Sequence, residues 1–190
     1  MTAGLPFRGA ALLLCGALLF SGCAAGIGPA GREGEASAPD RDVVVAGVPF
    51  LPQEEETCGP SSLAMLLRFL GRNAETAGIA AETRTAGLRG TLITDLAAAA
   101  RRRGVDAEVA ALDPAGLRAE IDAGRPAILL VDLGVWVYSR PHYLLVYGYG
   151  PRGFLAHSGR TAGRWFPAAE LDARWAKMGR LAIVVRGAGR

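Results

Sequence analysis

Apolar positions fall into two regimes along the chain. In the earlier part they recur at helical spacing: Leu63, Leu66, Leu67 and Leu70 predict a helix from about Gly59 to Leu70 with one buried face, closed by Gly71. A weaker pattern predicts a helix over Ala74–Glu82. After a glycine-containing turn at 87–90, Thr91 is placed to cap a helix running to Arg103, with Leu92, Leu96 and Ala99 on one face. Short β runs are predicted at Val43–Val45 and Val105–Ala110, and Asp113-Pro114 opens a helix to about Ala123. From Pro126 the pattern changes. Pro126–Leu133 is a near-continuous apolar run, as for a strand buried on both faces. Tyr143–Tyr149 and Phe154–Ala156 are further strands, joined by the turn sequence Gly150-Pro151-Arg152-Gly153. A helix over Pro167–Lys177 and a strand over Leu181–Val185 close the chain. Helices first and antiparallel strands later is an α+β order.

The stretch before the first of these helices is chemically distinctive. Pro49, Pro52 and the run Glu54-Glu55-Glu56 keep residues 49–57 out of any helix, so Cys58 stands where the helix begins. Pro60 fits the first helical turn, where a missing N–H costs nothing. The first backbone N–H groups of the helix and the positive end of its dipole favour thiolate over thiol. Such a position prepares a nucleophile.

Composition narrows the setting. The chain has 190 residues, 51% hydrophobic and 21% charged, which describes one globular domain with material for a core. The net charge is +3, and no basic stripe is interleaved with aromatics, which argues against nucleic acid as a partner. Arg101-Arg102-Arg103 reads as a solvated last turn that complements the helix dipole. At the start, Arg8 precedes an apolar run from Ala10 to Phe20, too short to span a bilayer core of about 30 Å. It is followed by Phe20-Ser21-Gly22-Cys23, and the whole resembles a bacterial lipoprotein signal. That resemblance implies removal of residues 1–22, lipidation of Cys23, and, with Ala24 next, a place in the cell envelope on the periplasmic side of an outer membrane. Residues 23–42, rich in Ala, Gly, Pro and charge, read as a flexible tether, and 43–190 as the folded domain. Cys15 then leaves with the signal and Cys23 carries lipid. Cys58 remains as a lone thiol in an oxidising compartment, either buried and inert or present for its reactivity.

A nucleophilic thiol needs an imidazole as base and a group behind it to hold the tautomer. The chain has two histidines, His142 and His157. His142 follows Arg140-Pro141 at the start of a strand, where it can project at the end of the sheet. Alternate strand residues share a face, so an odd-numbered loop between the two strands places Ser158 on the face of His142. An even loop, such as a two-residue turn at Pro151-Arg152, brings His157 round instead. The odd loop, and with it Ser158, is the expectation.

Three motifs in this order, Gln53-x4-Cys58-Gly59-Pro60, Pro141-His142-Tyr143 and Leu155-Ala156-His157-Ser158-Gly159, resemble the C39 family of papain-fold cysteine peptidases over residues 45–186. The family includes leader-cleaving domains of bacteriocin exporters and stand-alone envelope lipoproteins. The resemblance implies a papain-like α+β fold with helices packed on a C-terminal antiparallel sheet, and a polypeptide substrate. It implies Cys58 as nucleophile, His142 as general base and Gln53 as side-chain donor of the oxyanion hole, with no metal or cofactor. Exporter-type members carry Asp where this chain has His157-Ser158, and a serine there gives less support to an imidazolium than a carboxylate does. The chain has no P-loop of the form Gly-x4-Gly-Lys-Ser/Thr, so ATP binding is not expected of it. Two alternatives stand beside this reading: a peptidoglycan endopeptidase of the NlpC/P60 type, and a catalytically weak peptide-binding module.

Overall fold

Successive residues of the central strands belong to two separate apolar clusters, and that alternation sets the architecture. In β3 (Ala127–Asp132) of the computed structural model, Ile128 and Leu130 join one cluster while Ala127, Leu129 and Val131 join the other. In β4 (Pro141–Gly150), Tyr143 and Leu145 point to the first, Leu144 and Val146 to the second. A strand buried on both faces needs helices on both. The structure describes residues 40–85, 87 and 90–187.

The sheet is antiparallel throughout. Its order is β2-β7-β3-β4-β5-β6, with β2 (Ala107–Ala111) and β7 (Leu181–Val185) beside β3, and β5 (Gly153–Ser158) and β6 (Thr161–Phe166) beyond β4. The two-residue strand β1 (Val43–Val44) pairs with Tyr149 and Gly148, at the far end of β4 from His142. Helices α1 (Cys58–Phe69), α2 (Thr76–Thr83) and α3 (Ile93–Arg102) supply one cluster, and α4 (Pro114–Asp122) and α5 (Ala168–Ala176) the other. The compact unit that carries the described residues runs Ala36–Arg190. The α+β class is thus as expected, with the helices divided between the two faces.

Several local expectations need correction. Asp113 caps α4 by accepting from the Gly116 N–H at 2.7 Å, but Thr91 does not cap α3. The cap is Leu92, with no side-chain bond, and Thr91 turns inward toward the Thr83 hydroxyl at 3.4 Å. Strand β6 has no counterpart in the sequence pattern, because half of its residues are exposed and its sequence, Thr-Ala-Gly-Arg-Trp-Phe, lacks apolar alternation. The turn between β4 and β5 is even, since Gly150 pairs with Gly153 across Pro151-Arg152. An even turn alone would turn His157 to the face of His142. Instead, Tyr147 is an extra residue between Val146 and Gly148, and beyond this bulge Leu145 faces His157. The bulge reverses the parity, and Ser158 shares the face of Leu144 and His142.

Candidate active site

The first turn of α1 is prepared by its sequence. A short 3-10 turn over Glu55–Thr57 leads into the helix, Cys58 is its first residue and Pro60 lies in its first turn. Cys58 is 7% exposed, more deeply set than an accessible surface thiol, and it is a reduced cysteine. Gly59 allows this depth: a Cβ there would lie 2.9 Å from Leu96 Cδ1 and 3.0 Å from Tyr143 Cδ2. The Tyr143 ring cannot easily yield, because its hydroxyl donates to the Thr91 carbonyl at 2.9 Å. Burial raises the Tyr143 phenol above its ordinary value, and negative charge at Cys58 and Asp95 adds to the effect.

Gln53 joins this turn to the sheet. Its Nε2 donates to the Ser62 hydroxyl at 2.7 Å and to the Cys58 carbonyl at 3.2 Å. Its Oε1 accepts from the Gly159 N–H at 2.6 Å, and its own backbone N–H donates to the Gly159 carbonyl at 2.9 Å. Gly159, at φ +60°, occupies the first place of a two-residue turn in which Ser158 pairs with Thr161. One buried amide therefore ties the Cys58 turn to the end of β5. Ser62 and Gly159 were not singled out in the sequence. Ser62 lies four residues beyond Cys58, on the same helix face, which is a signal that was there to be used.

At the neighbouring strand end, His142 Nε2 lies 3.1 Å from Ser158 Oγ. Burial, reinforced by the Arg140 cation, lowers the His142 imidazole to about 4, so the ring is neutral at pH 7. His157 is placed differently. Its Nδ1 accepts from the Gly163 N–H at 3.2 Å, which assigns the proton to Nε2, 3.4 Å from the Val48 carbonyl. Its ring packs against Tyr147 and Phe50, with centroids 4.4 and 5.2 Å away. Both of its nitrogens face backbone.

Two cavities share Pro141 in their linings. One, of about 490 Å³ and mostly apolar, is lined by Cys58, Leu92, Leu130, Pro141, Tyr143 and Met178 among others. The other, of about 210 Å³, is lined by Gln53, Glu54, Arg140, Pro141, His142 and Gly159. Among the described residues, no cluster of His, Cys, Asp and Glu could hold a metal ion, and no helix is long and apolar enough to cross a membrane.

The fold thus carries a cysteine at a helix start and a histidine at a strand end on an α+β scaffold, the two elements linked through Gln53, Gly159 and Ser158. Residues 45–183 match the sequence profile described as the Peptidase_C39 like family, and the chain belongs to that family. No curated protein matches it in sequence. Among solved structures, one described as a C39-like peptidase from Bacillus anthracis superposes with a TM-score of 0.67 at 18% identity, covering 80% of this chain and 100% of that one. The peptidase domain of Streptococcus ComA, a bifunctional ABC transporter of a quorum-sensing pathway, gives 0.61 at 22% identity over 73% of this chain and 98% of that one. A double-glycine-motif protease from an AMS/PCAT transporter, solved with its leader peptide, gives 0.60 at 18% identity over 78% and 96%. These likenesses establish the shared fold.

Proposed function

We propose that this protein is a cysteine peptidase that cleaves polypeptides of the bacterial cell envelope, held there by a lipid on Cys23. The observation that carries the reading is the Gln53 amide, which rests on the Cys58 carbonyl while gripping Gly159, the neighbour of the serine that contacts His142. In this mechanism Cys58 Sγ attacks the scissile carbonyl carbon and its proton passes to His142 Nδ1, the ring nitrogen turned away from Ser158. The oxyanion accepts from the Cys58 backbone N–H and from Gln53 Nε2, whose 3.2 Å bond to the Cys58 carbonyl is the weaker of its two and the one to be exchanged. Collapse of the tetrahedral adduct breaks the C–N bond, with the proton on His142 going to the leaving amine. A water, deprotonated by His142, then hydrolyses the thioester and restores the thiol. Ser158 is a positioning residue that holds the ring through Nε2.

A polypeptide suits the site because the apolar cavity beside Cys58 accepts side chains on one side of the scissile bond and the polar cavity receives the other. The leader-peptide protease among the structural relatives points the same way. The test is turnover of a peptide library by wild type and Cys58→Ala. Turnover by wild type, with loss of at least about 10³-fold in the variant, is expected. Unchanged turnover in the variant would discard the thiol mechanism. No turnover of any peptide, with peptide binding retained in both proteins, would leave a binding module.

A further inference from the structure

The hairpin tip between β3 and β4 is apolar and faces solvent. Val135, Trp136, Val137 and Tyr138 are 67–98% exposed, with Trp136 at the upper limit. Four consecutive apolar side chains, two of them aromatic, are rarely presented to water without a partner. The tip is also built to hold them out. The Asp132 carboxylate accepts from the Gly134 and Arg140 N–H groups at 2.7 and 2.8 Å, closing the neck of the hairpin. Gly134 has no room for a side chain, since a Cβ would meet the Tyr138 carbonyl oxygen. At the apex the Tyr138 N–H donates to the Val135 carbonyl, and Trp136 takes a φ of 56°, a conformation that side chains rarely adopt.

We propose that this tip is a membrane anchor, inserting Trp136 and Tyr138 into the interfacial layer of an anionic bilayer. Three observations favour lipid over protein as the occupant. First, the area is small. Two aromatics and two valines offer on the order of 600 Å², below the roughly 800 Å² per partner of a stable protein interface, and a convex tip suits a fluid layer. Second, the chemistry is that of interfacial anchors: Trp and Tyr settle at headgroup depth. Residues 133–140 contain one Arg and no acid, and Lys177 adds a last, smaller lowering of the Asp132 carboxyl after the Arg140 and Gly134 N–H groups and the Ser139 side chain. Arg140 and Lys177 thus complement anionic headgroups. Third, the expected lipid attachment at Cys23 keeps a bilayer within reach. The twenty residues from Cys23 to Asp42 span up to about 70 Å when extended, about twice the length of β4, so the tip at the opposite end of that strand from β1 can meet the same surface.

The consequence rests on the peptidase reading. His142 follows Tyr138 by four residues, so insertion of the tip holds the cleft against the lipid surface, and the substrates served are polypeptide segments emerging from or lying on the membrane.

The test uses the compact unit Ala36–Arg190, which lacks Cys23; a solved relative is matched over its entire chain by 80% of this one, which supports folding of the unit alone. Vesicles of phosphatidylcholine alone, and of phosphatidylcholine with phosphatidylglycerol, are added while tryptophan emission is followed. Of the three tryptophans, Trp175 is buried, so a blue shift that disappears in Trp136→Gly reports the tip. Glycine is chosen because it is at ease at positive φ. Binding is expected to be stronger on the anionic vesicles and to weaken by about tenfold or more in the pair Trp136→Gly with Tyr138→Ser. Cys58→Ala should bind vesicles as wild type does, which separates this proposal from the peptidase reading. No vesicle binding by the wild-type unit overturns the proposal. So does a tip variant that binds vesicles normally but raises KM for a soluble peptide, which would make the tip a substrate dock. Concentration-dependent dimers of the wild-type unit that the tip variant abolishes, without vesicle binding, would assign it to a second copy.

Discussion

His142 is held as a neutral base, and that state sets its chemistry. With the ring at about 4, His142 is neutral at pH 7 and has a lone pair free to take up a proton. Ser158 offers the ring a neutral partner, where a carboxylate would stabilise the imidazolium. Ser158→Asp should therefore raise the His142 pKa, move alkylation of Cys58 by an uncharged electrophile to lower pH, and raise kcat/KM near the bottom of the roughly 10²–10⁴-fold range of acid–base effects. An unchanged alkylation profile would mean that Ser158 does not communicate with the thiol. The same depressed pKa acts on stability. As pH falls below the ordinary 6.5, the unfolded chain takes up the proton first. The contribution from neutral His142 is complete above about 6.5 and lost by about 4, and amounts to no more than about 3 kcal/mol. Urea melts at pH 7 and 4.5 should show His142→Gln losing less stability than wild type over that interval. His157, lowered by burial, contributes in the same direction and remains in both proteins. At this scale the sequence names side chains by their chemistry, but not their surroundings. Nothing in the motif Pro-His-Tyr tells that Arg140 and burial lower the ring, or that Ser62 and Gly159 hold the Gln53 amide.

Elements were legible where one periodicity dominates. The α1 face and the apolar run of β3 are plain in the sequence, because α1 is buried from Cys58 to Leu67 and β3 over its whole length. The β4–β5 pairing was not, since a bulge at Tyr147 leaves no mark in the hydrophobic pattern; it shows only as cross-strand register. The bulge makes His157 a structural residue. It bridges the Val48 carbonyl and the Gly163 N–H, and so fixes the segment that leads to Gln53 against the sheet. His157→Ala should cost about 2–3 kcal/mol, through a cavity and two backbone groups left without their partner. Its effect on turnover should parallel thermal stability and be recovered on cooling. A pure kcat loss at unchanged Tm would instead make His157 part of the chemistry. Gly59 gives the complementary case. Gly59→Ala pushes Leu96 and the hydroxyl-tethered Tyr143 ring, so a cost of about 1–3 kcal/mol is expected in thermal melts, together with a fall in activity as the Cys58 turn is displaced. Equal stability and activity in that variant would show that the site tolerates a shift of its first turn.

On the scale of the whole molecule, helix-then-strand order revealed the α+β class, but not that α4 and α5 cover the second face of the sheet, because the lane taken by β7 between β2 and β3 is a long-range pairing. The lipid signal and residues 23–39 of the expected tether lie outside the described residues and stand on the sequence alone, while Asp42, at the far end of that stretch, pairs with Arg152 at 2.8 Å. An apolar run of eleven residues, Ala10 to Phe20, is short for a bilayer span, and the small residues before Cys23 suit cleavage there. If Cys23 carries lipid, anchorage has two parts of unequal strength: acyl chains that hold almost irreversibly, and an aromatic tip that binds reversibly and orients the cleft. Expressed in a bacterium fed labelled palmitate, wild type should incorporate label and partition into detergent, whereas Cys23→Ser should carry none. The tip variant Trp136→Gly with Tyr138→Ser should keep both the label and the detergent partition, since the acyl chains alone suffice to retain it. Its defect should appear only in cleavage of membrane-bound polypeptides, with soluble peptides cut at the wild-type rate. Unlabelled wild-type protein in the soluble fraction would refute lipidation. Equal loss on soluble and membrane-bound substrates in the tip variant would place Trp136 and Tyr138 in the cleft's own chemistry.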